Sequence, residues 1–277
     1  MKLIKKVGEN EWLFLESERV RHVTLHDLTE AEELMEAGKA SIALKALQRI
    51  AENVPDCIEV YNDLYICRCI LGKSELAFEH IQTDVASIRA VLPEEFFGKK
   101  QILSWDCLEN RPFMRLYHSL GIALLESDRV EAAKSIFENL VGWNPNDNQG
   151  VRENLVDCYL ACNDFKSIVS LAKRYPRDIM APCLTYFLPL GLFKLGKVEE
   201  AKKALRVAVK CLPSIGKELL KQKHKQPQGV EEGFIQVGGE DQAYFYWQEY
   251  GHLWKSDEIL PLLEMLAQLV NECEQVN

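Results

Sequence analysis

Apolar residues recur at three- and four-residue spacing along most of the chain, and short polar turns interrupt them at regular distances. In the segment before Pro145, the residues Tyr117, Leu120 and Leu124 fall on one helical face. The turn ESDR then breaks the pattern, and VEAAKSIFENLVGW resumes it. Because proline lacks a backbone N–H, Pro145 marks the end of the second run. The pattern predicts two helices joined by a tight turn.

This helix pair recurs with a period of 34 residues. Three copies share offsets of 5, 4 and 8 residues: Gly38, Ala43, Leu47, Pro55; Asp128, Ala133, Phe137, Pro145; and Gly196, Ala201, Leu205, Pro213. Gly72, Ala77 and Ile81 begin another copy, and a degenerate copy, slipped by one residue, ends early at Pro176. One helix pair cannot bury its apolar face alone, so five stacked copies are expected over residues 24–215.

The 34-residue pattern resembles the tetratricopeptide repeat. The third copy carries the best match, through Tyr117, Leu120, Gly121, Ala133, Phe137 and Pro145. The resemblance implies an all-α, right-handed superhelical solenoid of helical hairpins, with a concave groove lined by the first helix of each hairpin. Pro189 stands where the fifth copy should have a small residue, so a kink is expected in that helix.

A narrower resemblance covers about 45 residues, from Glu109 to Arg152. There ENRPFMRLYHSLGIALLE, followed by NPNDNQGVR, is similar to a phrase of suppressor-of-tumorigenicity-7 proteins and related bacterial repeat proteins. It implies kinship in the repeat array and brings no catalytic residue.

The segments outside the repeats have their own patterns. Residues 1–23 lack helical periodicity and are predicted to be extended or to form short strands, whereas residues 216–277 are predicted to form a helical cap. The insertion near residues 82–113 predicts a longer second helix and then a loop, with a lid over the groove as the alternative. The cap carries an aromatic stripe that is expected in its core: Tyr244, Trp247, Tyr250 and Trp254.

Charge and cysteine content narrow the functional classes. The formal net charge of -9 argues against nonspecific nucleic-acid binding, which needs clustered Lys and Arg. No apolar run approaches the roughly 20 residues that span a bilayer. The start of the chain shows no export signal, so a cytoplasmic location is expected, although a specialised secretion route stays open. The nine cysteines form no CxxC pair and are interpreted as reduced thiols.

The stretch GWNPNDNQGVRENL has the alternating asparagines of a calcium loop. Counting from Asn144, however, the glycine comes one residue late, and the twelfth position is Leu155 instead of glutamate. The stretch is therefore interpreted as a corner between two helices, with Asp147 or Asn148 capping the second. No metal site and no cofactor are predicted.

No catalytic motif stands out either. HExxH and GxSxG are absent, and VGGED lacks the lysine of a phosphate-binding loop. No catalytic residue is predicted, and the chain is not expected to be an enzyme.

The predicted function is to bind a protein or peptide in the groove, as an adaptor or scaffold. The predicted contact residues are Arg111, Arg115, His118, Arg152, Glu153, Asp157, Tyr186 and Phe193. The three arginines could converge on one carboxylate or phosphate, which guanidinium groups bind with two hydrogen bonds. The alternative is that they form salt bridges to Glu109, Glu153 or Asp157.

Two other functions stay open. One is a small-ligand sensor or enzyme-accessory protein with an anion-binding pocket near the arginines. The other is a mainly structural protein whose groove is filled by its own C-terminal helices. A homo-oligomer is open as well.

Overall fold

The computed structural model describes residues 3–176, 181–229 and 235–276, most of which are helical. The chain divides into two compact units, an N-terminal unit (Met1–Cys158) and a C-terminal unit (Tyr159–Asn277). Within the described residues, no helix has both the length and the apolar character needed to cross a membrane.

The N-terminal unit contains three short strands and the first helix pairs. Its elements are β1 (Ile4–Lys6), β2 (Glu11–Phe14), α1 (Glu18–Val23), α2 (Thr29–Glu36), α3 (Ala40–Asn53), α4 (Ile58–Ile70), α5 (Ser74–Val91), β3 (Ile102–Leu103), α6 (Arg111–Glu126) and α7 (Val130–Trp143). A π-helical turn, Thr24–Leu28, joins α1 to α2. The next helix, α8 (Val151–Ala161), crosses the boundary between the units.

The C-terminal unit continues the helical pairs and ends in further helices. Its elements are α9 (Phe165–Arg174), α10 (Pro182–Lys194), α11 (Val198–Cys211), α12 (Pro213–Leu220), α13 (Glu240–Tyr250) and α14 (Leu260–Val276). Two single 3-10 turns, Gly251–Trp254 and Asp257–Ile259, lie between α13 and α14.

The turn inside each helix pair has one repeated backbone geometry. The second residue after the first helix has a positive φ of 54° to 74° at Gly38, Gly72, Asp128, Asn163 and Gly196. At the first of these turns, the N–H of Lys39 donates to the carbonyl of Leu34 at 2.8 Å, and equivalent bonds occur at the other four. This bond, from the third residue beyond the helix back to its last turn, is the Schellman motif. It reverses the chain within a few residues and so creates the hairpin.

Small residues let the two helices of a pair approach each other. A Cβ atom added to Gly121 on α6 would lie 2.3 Å from the Phe137 ring on α7, so no larger residue fits there. The fifth pair differs, since α10 contains Pro189 at the equivalent position and nevertheless continues to Lys194. Gly191, two residues later, instead faces the preceding helix α9, where an added Cβ would lie 3.0 Å from Val169.

The N-terminal strands pair with the insertion. β1 and β2 are antiparallel, and β3, which the insertion supplies, pairs in parallel with β2. The indole of Trp12 donates to Gln101 at 2.6 Å, and the buried Asn110 accepts a bond from the backbone N–H of Phe14 at 2.9 Å. The insertion thus packs on the N-terminal strands. Residues 18–23, predicted to be extended, form α1 instead.

The C-terminal helices cover the end of the helix pairs in their own unit. Helices α12 and α14 pack on α11, and α12 also packs on α13 and α14. Trp254 is buried in this cap, but Tyr244, Trp247 and Tyr250 are only partly buried. The predicted stripe is therefore wrong in part. The helical register of α13 turns Tyr246 into the core instead of those three aromatic residues.

Candidate functional site

Arg115 binds a carboxylate on the preceding first helix. Its Nε donates to Glu59 Oε1 at 3.0 Å and its Nη2 to Glu59 Oε2 at 2.6 Å, which joins α6 to α4. The Glu59 side chain is only 10% exposed, whereas the Arg115 side chain is 43% exposed. The ion pair therefore has one end in the interior and one at the surface.

The other two arginines are bound by different parts of the chain. Arg111 donates to the carbonyl of Trp105 at 2.9 Å and lies 5.0 Å from the centre of its ring. Arg152 donates to Asp147 Oδ2 at 2.8 Å. Each of the three guanidinium groups thus binds a different part of the chain. The carboxylates Glu59 and Asp147, which bind two of them, come from an earlier helix and an interhelical corner and were not among the predicted partners.

The corner that resembled a calcium loop caps α8. Asp147 has a positive φ of 49°, and its two carboxylate oxygens accept the backbone N–H groups of Val151 at 2.8 Å and Arg152 at 2.9 Å. A negative charge at a helix N-terminus is favourable there. The predicted contact residues Glu153 and Asp157 follow on α8, exposed and half-buried respectively.

Polar bonds also connect the first helices of successive pairs. His118 on α6 donates from Nε2 to Asn154 Oδ1 on α8 at 2.8 Å. Ser119, also on α6, donates to Asn62 Oδ1 on α4 at 2.8 Å. Side-chain hydrogen bonds therefore connect α6 to both α4 and α8.

Tyr186, predicted to contact a partner, is buried within the C-terminal unit. Its hydroxyl donates to the carbonyl of Leu212 at 2.9 Å, and its ring lies beside Tyr246 and Trp254. Burial raises the pKa of this hydroxyl. Tyr186 therefore offers no surface to a partner, because the cap covers it. Phe193 lies at the other end of α10 and is partly exposed.

Three acidic residues, Glu32 on α2 with Glu59 and Asp63 on α4, form a group that we call the carboxylate cluster. Asp63 lies one helical turn after Glu59 and is buried. Its Oδ2 atom has no hydrogen-bond partner among the described residues. Burial, and then the charges of Glu59 and Glu32, raise the pKa of Asp63 to about 7 against the opposing effect of Arg115.

The exposed member of the cluster responds to the same charges. Partial desolvation and the negative charge of Glu59 raise the pKa of Glu32, although Arg115 opposes this. The negative charges of Glu32, Glu59 and Asp63 thus act on one another. Asp63 was not predicted from the sequence. The available signal was the pair of like charges four residues apart in the apolar segment IEVYNDLYICRCI.

The C-terminal unit contains a separate apolar cleft. It has a volume of about 250 Å³ and lies between α9, α10 and α11, where its lining includes Ala172, Leu184, Leu188, Ala204, Val207 and Lys173. The anion-binding pocket predicted from the sequence was expected near the three arginines. None of the residues that line this cleft is adjacent to those arginines in sequence.

The structure resembles those of known helical repeat proteins. A crystal structure of MamA protein has a TM-score of 0.50 and 14% identity, covering 75% of this chain and all of that chain. A crystal structure described as YrrB, a tetratricopeptide-repeat protein with an unusual peptide-binding site, has a TM-score of 0.50 and 14% identity, covering 71% of this chain and 93% of that chain. This chain has the tetratricopeptide-repeat fold.

The fold predicted from the 34-residue period is thereby confirmed. No family model matches the sequence, and no curated protein matches it. The narrower resemblance between Glu109 and Arg152 stays a prediction. At identities this low, the structural likeness shows the fold and leaves the function of this tetratricopeptide array to its own side chains.

Proposed function

We propose that the chain is a protein-binding scaffold whose contact surface lies on the first helices of the N-terminal unit. The observation that carries this proposal is a stripe along α4. Glu59, Asp63, Ile66 and Ile70 follow at offsets of four, three and four residues, which places them on one helical face. Ile66 is 39% exposed and Ile70 is 56% exposed. The apolar end of the stripe is therefore exposed, whereas Glu59 and Asp63 at its acidic end are buried.

A mixed stripe of this kind suits recognition of a peptide segment. Polar groups determine the orientation of the segment, and exposed apolar side chains contribute contact area. In repeat arrays the first helices line the extended surface on which partners bind. The peptide-binding site named for the YrrB structure supports the same general class of function.

Under this proposal, some of the predicted contact residues belong to the contact surface and others have a structural role. Arg115 and His118 belong to the surface, and Glu153 and Asp157 extend it along α8. Arg111 and Arg152 instead stabilise the local structure through Trp105 and Asp147. Phe193 stays a separate prediction. The proposed role requires no catalytic residue.

Site-specific photo-crosslinking tests this proposal with a matched control. A benzophenone amino acid replaces Ile70 on α4 in one variant and Ile42 on the second helix α3 in the other, two positions that are each 56% exposed. After irradiation in a lysate of the source cells, position 70 is expected to give discrete protein adducts. Position 42 is expected to give few, because second helices do not line the proposed surface.

The identity of the adducts is read by mass spectrometry, and circular dichroism checks that both variants are folded. Equal adduct patterns from the two positions would contradict the proposed surface.

A further inference from the structure

We propose that the carboxylate cluster of Glu32, Glu59 and Asp63 binds a basic side chain, an arginine or lysine, of the protein partner. The inference rests on the proposed function and adds the chemistry of the segment that is recognised. It reverses the polarity predicted from the sequence, in which arginines of this chain would bind an acidic group.

The first argument is the charge balance of the cluster. The Nε and Nη2 atoms of Arg115 both donate to Glu59, at 3.0 Å and 2.6 Å. Arg115 therefore neutralises one carboxylate, while Glu32 and Asp63 also lie within electrostatic range of it. Three ionised carboxylates and one guanidinium leave two negative charges. A single added cation would relieve much of this repulsion.

The second argument is independent of the first and concerns the buried oxygen of Asp63. A buried carboxylate oxygen without a donor costs free energy, which an asparagine or leucine at the same place would avoid. Oδ2 of Asp63 has no such donor among the described residues. Perturbed carboxyls of this kind are enriched at functional sites. The negative charge of the ionised Asp63 therefore points to a positively charged ligand.

The exposed surface indicates how the ligand approaches. Glu32 is exposed and can bond an incoming cation directly, whereas Asp63 is buried below the surface. Asp63 therefore acts on the ligand by its charge through the protein interior, where electrostatic attraction is less screened than in water.

The apolar end of the α4 stripe extends the description of the partner. At 1.5 Å per residue, Ile66 and Ile70 lie about 4.5 Å and about 10 Å along the helix axis from Asp63. An extended segment advances about 3.3 Å per residue. The partner should therefore carry apolar residues about one to three positions from its basic residue.

Binding of this cation should strengthen as the pH rises. The groups that act on Asp63 are Glu59 and Glu32, which raise its pKa, and Arg115, which lowers it. With a pKa of about 7, Asp63 gains its negative charge between about pH 6 and 8, and the attraction for a cation grows over the same interval.

The test begins with selection of a random 12-residue peptide library on the immobilised full chain. Selected peptides are expected to be enriched in arginine or lysine near apolar residues. One such peptide is then synthesised with arginine and with citrulline, its uncharged isostere, and both are titrated by calorimetry. Citrulline should weaken binding about tenfold to the wild type, but less than about threefold to Glu32→Gln. The control Glu52→Gln on α3 should behave as the wild type does.

A second variant separates charge from structure. Asp63→Asn should remove most of the rise in affinity between pH 6 and 8, an effect that a merely structural role of Asp63 would not produce. Equal effects of citrulline on the wild type and Glu32→Gln would overturn the inference.

The failure of the inference and of the proposed function can be told apart with Ile70→Glu. Acidic or uncharged peptides that lose binding to Ile70→Glu would leave the proposed surface intact and reject the basic ligand. If no peptide is selected, or if the selected peptides bind Ile70→Glu and Glu32→Gln as tightly as the wild type, the inference and the proposed function are both rejected.

Discussion

His118 and Tyr186 occupy equivalent repeat positions, 68 residues apart, yet their surroundings differ. His118 is partly exposed and bonds Asn154 on the next first helix. Tyr186 is buried beside Trp254 and Tyr246, and its hydroxyl donates a hydrogen bond to a backbone carbonyl. The same phase of the repeat therefore gives a polar surface in one unit and a core in the other. What differs is the sequence that follows, because α12–α14 cover the last pair.

The two regions also differ in how they affect stability. In the C-terminal unit, aromatic surface is removed from water, and the Tyr186 hydroxyl and the Trp254 indole both donate hydrogen bonds, which stabilises the fold. In the N-terminal unit, a buried carboxyl lies beside two others and lowers stability when it ionises. A surface that retains a destabilising buried carboxyl is the better candidate for a binding site.

The largest expected effect on stability is in the C-terminal unit, where the cap buries Tyr186. Trp254→Ala should lower the free energy of unfolding by about 3–5 kcal/mol, because it removes a buried indole and leaves a cavity beside Tyr186. Urea denaturation followed by circular dichroism measures this. The control Val237→Ala, at an exposed position, should change stability by less than about 0.5 kcal/mol. A similarly small effect of Trp254→Ala would show that the cap is not a core.

A smaller effect is expected from the ion pair that joins α4 to α6. Arg115→Leu should lower the free energy of unfolding by about 2 kcal/mol, because Glu59 loses its counter-charge. The cost falls below that of a fully buried pair because the arginine is partly exposed to water. Thermal and urea unfolding measure it, with the exposed Arg49→Leu on α3 as the control. If both variants had equal stability, the ion pair would contribute nothing to this face.

The smallest expected effect is a gain in the free energy of unfolding, and it depends on pH. Asp63 has a pKa of about 7 in the folded chain, above its ordinary value of 3.8, so its ionisation lowers stability as the pH rises between these values. Asp63→Asn removes that loss. Relative to the wild type, the variant should gain at least about 1 kcal/mol more at pH 8 than at pH 4.5.

Urea titrations at both pH values provide the measurement. The exposed Glu52→Gln should show no comparable difference between them. If Asp63→Asn destabilised the chain more at pH 8 than at pH 4.5, the carboxyl would be a favourable charge, and the contrast between the two regions would be lost.

Much of the fold could be predicted because its signals are local. The 34-residue offsets located the tight turns, including the one-residue slip at Asn163, since a left-handed residue after a helix needs glycine, asparagine or aspartate nearby in sequence. The cap of α8 by Asp147 was predictable for the same reason. The pairing of β3 with β2 was not, because their residues lie about 90 positions apart.

The candidate site was predicted less well because it depends on distant residues. The partner of Arg115 lies 56 residues away on another helix, whereas the sequence suggested carboxylates within a few residues or on the next helix. The interaction of Glu32 with Glu59 and Asp63 was not predicted either, because no local pattern contains it.

By itself, the sequence determined the repeat period, the turns and the helix ends, because backbone conformation responds to neighbouring residue types. Only the tertiary structure decided which equivalent positions are covered and which charges meet. Those properties depend on packing between helices that are far apart in the chain. Tyr186 became core because a later cap covers it, and the pKa of Asp63 is raised because the fold buries this carboxyl and places the charges of Glu59 and Glu32 near it.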